Sequence, residues 1–184
     1  MMDELSLNIL DIAQNSIAAD ATLVEIDVIE DYTNDLLTIR VKDNGKGMSE
    51  EFLKTVEDPF ITTRTTRKIG LGISFFKEAA EITGGSLEIS SQVGVGTTVT
   101  AMFVLGHIDR QPIGNLSETI ITLVTFNPDI NFIICYKVND DEFVFSTQDV
   151  KEQLGDDVPL SSPPIVVFLT EYVNEHIQNL TRGV

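Results

Sequence analysis

Residues 22–30, TLVEIDVIE, alternate along their length. Val24, Ile26 and Val28 fall on one side, and Glu25 and Asp27 on the other. Residues 36–42 repeat the pattern with Leu37, Ile39 and Val41. A period of two with one apolar side predicts strands that have one dry face and one wet face. The dry face needs a cover. Residues 3–19 supply it as a helix, with Asp3 at the N-cap and Leu5, Ile9, Ile12, Ala13 and Ser16 or Ile17 at helical spacing.

Further along, DNGKG at 43–47 breaks the second strand as a glycine loop, and Ser49 opens a short helix with Glu50 and Glu51 in its first turn. An irregular polar stretch, DPFITTRTTRKIG, spans 58–70. A helix over about 71–83 stops at Gly84-Gly85, and strands at 86–91 and 97–105 are joined by VGVG. This order predicts an α/β (α+β) two-layer sandwich, a mixed sheet with helices on one face.

Gly106 marks a boundary, so the chain reads as a first region over 1–106 and a small C-terminal α+β module over 107–184. In the second region, 117–126, 130–137 and 142–147 read as three strands, with Asn127-Pro128-Asp129 as a hairpin turn. A short helix follows at about 147–154, and Ser162-Pro163-Pro164 opens a last helix to about 181. The module is expected either to dock a partner or to extend the core sheet.

The formal net charge of −17 disfavours a nucleic-acid backbone as partner, because binding phosphodiesters needs a basic face. No apolar run approaches the length of a membrane span, and the first residues carry acids where a signal peptide needs bases. The single cysteine, Cys135, lies in an apolar run and reads as a buried thiol. A cytoplasmic location is expected. Against this acidic background Arg64, Arg67 and Lys68 cluster, either as a surface patch or as a site for a compact anion.

Four segments carry candidate chemistry. Glu4, Asn8, Asp11 and Asn15 form one stripe of the first helix, either an exposed polar face or a set of hard oxygen ligands for Mg²⁺. Asp43 with Gly45 and Gly47 is either a tight turn or a carboxylate at a strand end, placed to accept from a ring amino group that the glycines let approach. Lys68 through Ile73 opens a helix, whose free N–H groups and glycines favour an anion. Gly94 through Thr98 is a turn that puts a threonine hydroxyl at a strand start.

In this order the segments resemble the GHKL, or Bergerat-fold, ATPase superfamily of sensor histidine kinases, anti-sigma kinases, mismatch-repair ATPases, gyrase and a heat-shock chaperone. The resemblance covers about residues 3–105. DIAQNSIAADATLVEIDV is similar to the asparagine box, VKDNGKGM to the first glycine box, and DPFITTR to the histidine-kinase phenylalanine box. GLGISFFKEAAEITGGSLEISSQVGVGTTVTAMF is similar to the rest of a histidine-kinase catalytic domain.

The resemblance implies ATP and Mg²⁺ as ligands. It implies that Asn15 holds the metal, that Asp43 reads adenine, and that Gly45, Gly47 and Met48 line the ring. Phe60, Thr63 and Arg64 would belong to a lid over ATP. Gly70, Leu71, Gly72 and Ile73 would close on the phosphates, and Thr97 would support Asp43.

The chain departs from the family pattern at the phosphate end. Asp11 stands where a catalytic glutamate is common and is one methylene shorter; it remains the candidate general base. Ala18 replaces a basic residue, and Lys68 replaces a glycine and would contact a phosphate as a point charge. Nine residues separate Phe60 from Gly70, a short lid.

No phosphoacceptor hairpin is legible ahead of this region, and His107 and His176 read as surface or packing residues. The expected function is a stand-alone protein kinase or phosphotransfer component acting on a partner protein in trans. The alternatives are an ATP-gated switch with slow hydrolysis and a non-catalytic nucleotide-binding module.

Overall fold

The computed structural model describes residues 4–57, 70–155 and 158–182. Strands β1 (Leu23–Asp31), β2 (Leu36–Asp43), β3 (Ser86–Gln92), β4 (Gly96–Val104), β5 (Asn131–Val138) and β6 (Asp141–Ser146) form one six-stranded sheet in the order β3-β4-β2-β1-β5-β6. All pairings are antiparallel except β1 with β5, which is parallel. The helices are α1 (Leu5–Ala18), α2 (Glu50–Glu57), α3 (Gly70–Ile82), α4 (Leu116–Phe126), α5 (Thr147–Leu154) and α6 (Pro163–Thr181).

The alternation sorts the sheet as expected. Val24, Ile26 and Val28 of β1, Leu37, Ile39 and Val41 of β2, and Phe132, Ile134 and Tyr136 of β5 are all buried. They meet Leu5, Ile9 and Ile12 of α1, Phe76 of α3 and Ile120 of α4 in one core. On the other face Arg40 pairs with Asp27 at 2.7 Å, and Lys42 with Glu25 at 2.6 Å, across adjacent strands. Such partly exposed pairs contribute little stability but keep that face wetted.

The C-terminal region corrects two expectations and decides a third. Residues 117–126 are not a strand but lie in α4. Their β-branched, apolar composition imitates a strand. The decisive signal is the cap: the Asn115 side chain accepts from the Glu118 N–H at 3.1 Å. Leu116, Ile120, Leu123 and Val124 then bury at helical spacing. Asn127-Pro128-Asp129 therefore joins a helix to β5 and is not a hairpin turn. The hairpin is β5–β6. Of the two readings of 107–184, these strands are an extension of the core sheet.

Two smaller corrections follow from the same packing. Cys135 alternates with buried Phe132, Ile134 and Tyr136, so it points to the outer face and is only half-buried. Asp3 lies outside the described residues. The residue preceding α1 is Glu4, which makes no side-chain cap. Instead its carboxylate accepts from the Asn115 N–H at 3.1 Å and ties α1 to the start of α4.

Asn8 does not lie on an exposed polar face. It is 1% exposed, and neither its Oδ1 nor its Nδ2 has a hydrogen-bond partner among the described residues. An unsatisfied buried amide destabilises, and leucine keeps its branched outline while replacing the polar atoms with methyl groups. Asn8→Leu is expected to raise stability by about 1–2 kcal/mol, read as a higher urea midpoint at unchanged slope. An unchanged or lower midpoint would show that the amide has a partner.

Candidate functional site

The C-terminal end of α1, the loop after β2 and the start of β4 converge on Asp43. Asn44 anchors the loop: its Oδ1 accepts from the N–H groups of Thr22 and Leu23, both at 2.9 Å, and its Nδ2 donates to Thr22 Oγ1. With Asn44 pinned outward, Asp43 turns inward and is 9% exposed. Asp43 Oδ2 accepts from Ser16 Oγ at 2.7 Å. Its Oδ1 accepts from the N–H groups of Gly45 at 2.9 Å and Thr97 at 3.2 Å. Three donors fix the carboxylate, and Oδ2 keeps a lone pair not used by these contacts.

The support from Thr97 differs in kind from the expected one. Its backbone N–H reaches Asp43, while its hydroxyl pairs with Ser91 Oγ at 2.8 Å. Ser91 Oγ in turn accepts from the Met48 N–H at 2.8 Å and contacts the Gly96 carbonyl at 3.1 Å. Ser91 thereby ties the glycine loop to the β3–β4 turn. Met48 packs half-buried against the core.

The glycines serve the chain's own packing. A β carbon on Gly45 would lie 2.6 Å from the Ala19 carbonyl oxygen, and one on Gly47 would lie 2.0 Å from that of Gln92. Gly47 also has φ +66°, a region that disfavours a side chain. Both glycines are therefore required by backbone contact, whatever approaches the loop from its open side.

The other end of the site joins α1 to α3. Asp11 and Asn15 stand four residues apart on α1, both half-buried. Neither side chain hydrogen-bonds to another described residue. Gly72 in the first turn of α3 faces Asp11: a β carbon there would lie 2.7 Å from Asp11 Oδ2. A larger residue there would require the Asp11 carboxylate to move. Gly70 and Leu71 are the first residues of α3, and Ile73 is buried beneath them. Phe60, Thr63, Arg64, Arg67 and Lys68 lie outside the described residues.

Two contributors escape a sequence reading. Ser16 sits on the apolar stripe of α1, where it passes for a small core residue, and Ser91 reads as an ordinary strand residue. Each has a faint signal: a hydroxyl on a buried stripe needs a partner, and Ser91 stands opposite Thr97 in the hairpin register. Ser16→Ala removes a buried, charge-assisted hydrogen bond. It is expected to cost about 1–3 kcal/mol of stability, measured by urea unfolding. Ser16→Thr, which keeps the hydroxyl, should recover part of the loss.

Fit to a nucleotide and a metal can be judged on this donor set. Among the described residues no cluster of three or more His, Cys, Asp or Glu could hold a metal ion. An amide oxygen from Asn15 beside the Asp11 carboxylate suits Mg²⁺, which takes few protein ligands and keeps phosphates and water. An inward carboxylate oxygen with a spare lone pair, beside a helix start some distance along α1, suits an amino-bearing ring joined to phosphates.

Comparison with known proteins shows the family and the fold. The family model described as histidine kinase-, DNA gyrase B- and HSP90-like ATPase matches residues 1–107. Sensor histidine kinase YvrG of Bacillus subtilis is 31% identical over 93 residues, 48% of this chain and 16% of that protein. The C4-dicarboxylate transport sensor protein DctB of Pseudomonas aeruginosa is 33% identical over 93 residues, 50% of this chain and 15% of that protein. The chain thus spans about a sixth of the length of these relatives. Among solved structures, the Aquifex aeolicus MutL ATPase domain complexed with ADP aligns over 84% of this chain and 68% of its own, with a TM-score of 0.52 and 18% identity. The N-terminal domain of a DNA repair protein aligns with a TM-score of 0.56 and 16% identity, over 79% of this chain and 53% of its own. At such identities these two structures share the fold alone.

Proposed function

The chain belongs to the histidine kinase-, DNA gyrase B- and HSP90-like ATPase family, and from that premise we propose that it is a kinase or phosphotransfer component that uses Mg²⁺-ATP and acts on a partner protein in signalling. One observation carries the nucleotide site: Asp43 is held inward by Ser16, Gly45 and Thr97 with an acceptor site to spare. In this reading Asp43 accepts from the adenine amino group, and Gly45, Gly47 and Met48 border the ring. Thr97 holds Asp43 through its N–H. Asn15 contributes its amide oxygen to Mg²⁺, which when bound offsets charge on the phosphates. Gly70 through Ile73 present the N-terminus of α3 to the phosphates, with Phe60, Thr63, Arg64 and Lys68 completing that end.

Kinase chemistry is favoured by the likeness to sensor histidine kinase YvrG. A cytoplasmic setting follows from the use of ATP, and no helix among the described residues is long and apolar enough to cross a membrane. A second reading, a slow ATPase switch, is favoured by Asp11, whose carboxylate lies against the first turn of α3. There it would orient water and link the state of the phosphates to the position of α3.

Incubation with γ-labelled ATP and Mg²⁺, with proteins encoded beside this one as acceptors, separates the two. The expected result is label on a histidine or serine of an acceptor, with little free phosphate. Steady phosphate release, slowed at least tenfold or so by Asp11→Asn and with no protein labelled, would establish the switch instead.

A further inference from the structure

The outward side of α6 carries an aromatic strip that no described residue covers. Phe168 is 56% exposed, Val167 57% and Tyr172 38%. The strip is continuous. The Phe168 and Tyr172 rings lie 6.1 Å apart, Tyr172 meets His176 at 4.3 Å, and His176 stacks on Phe143 of β6 at 4.7 Å. Packing from below makes this ridge rigid, since Phe143, Leu169 and Val173 are buried beneath it. Rigid, exposed aromatic clusters are the usual anchors of protein interfaces.

Charge narrows what can settle there. Glu171 and Glu175 are exposed one turn from Val167, Phe168 and Tyr172. No lysine or arginine occurs in α6. The chain as a whole carries −17. A second copy would bring a like-charged rim against this one, and nucleic acid or an anionic membrane would be repelled. The geometry points to a docking surface for a basic amphipathic segment of a partner protein, whose apolar side covers Phe168 and Tyr172 and whose lysines or arginines meet Glu171 and Glu175. The surface does not depend on the nucleotide reading, so Asp43→Asn should leave this binding intact.

The test titrates the full chain into a labelled helical peptide with leucine on one side and lysine on the other, and into its glutamate counterpart, at low and high salt. The lysine peptide is expected to bind and the glutamate peptide to fail. Phe168→Ser with Tyr172→Ser leaves the charge unchanged and should weaken binding about tenfold or more at both salts. Glu171→Gln with Glu175→Gln should weaken it chiefly at low salt. Glu81→Gln with Glu88→Gln makes the same charge change on α3 and β3, at the opposite edge of the sheet, and should leave affinity within about twofold.

If the aromatic pair disturbs the helical signal, Phe168→Ser alone must show the loss. Three results would overturn the proposal. One is unchanged binding by the aromatic variants, and another is an equal loss from the remote glutamate pair. The third is sedimentation of the wild type as a dimer that Phe168→Ser dissociates.

Discussion

Asp43→Asn is expected to keep the fold and to lower ATP affinity by about 30- to 100-fold, the equivalent of one charge-assisted hydrogen bond of about 2–3 kcal/mol. The amide oxygen can still accept from the Gly45 and Thr97 N–H groups, which now meet Asp43 Oδ1. The amide nitrogen then takes the place of Oδ2. Ser16 adapts, because its hydroxyl can accept as well as donate. The ring amino group of ATP cannot adapt, and it would face a second donor. Calorimetry with Mg²⁺-ATP reads the affinity, and urea unfolding confirms that the variant is folded. Affinity equal to the wild type in a folded Asp43→Asn would remove Asp43 from the site and with it the nucleotide pose.

Gly96→Ala is expected to lose about 3–5 kcal/mol of stability, the sum of backbone strain and an overlap that cannot relax. Gly96 has φ +135°, and a β carbon there would lie 1.9 Å from the Asp43 carbonyl oxygen and 3.0 Å from Asn44 Cα. Every one of these neighbours is backbone, so no side chain can swing away. The clash falls on the turn that positions Thr97, so ATP binding should fail with stability. Gly94→Ala is the comparison. Gly94 has φ +77° but no atom within 4 Å of the added carbon, so only the conformational penalty of about 1–2 kcal/mol applies. Equal urea midpoints for the two variants would show that the close approach of β4 to the Asp43 loop is not maintained in solution.

Local patterns carried much of this structure. Alternation located β1 and β2, and the burial that followed matched it residue by residue. Glycines at 84 and 85 ended α3 where expected, with Gly84 at φ +81°. Prolines opened α6. The failure at 117–126 is informative because two local signals disagreed there. Threonine, isoleucine and valine favour a strand, and a capped start with apolar residues every three or four positions favours a helix. Packing against α1 and α6 settled it. The sequence pattern suggests glycines as clearance for a ring, yet Gly45 and Gly47 face Ala19 and Gln92. A sequence shows that a position tolerates only glycine-like geometry but not which backbone crowds it.

The amino-acid order alone determined the kinds of element, which side of each strand is dry, and the candidate role of Asp43, because periodicity and turn chemistry act over a few residues. Only the tertiary structure decided what completes the site. Ser16 reaches Asp43 across 27 positions, and Thr97 reaches it across 54. Only the fold could place β5 beside β1 in parallel and leave the aromatic strip of α6 uncovered. Such partners lie far apart along the chain, and what brings them together is the burial of apolar surface in one shared core, a property no local pattern contains.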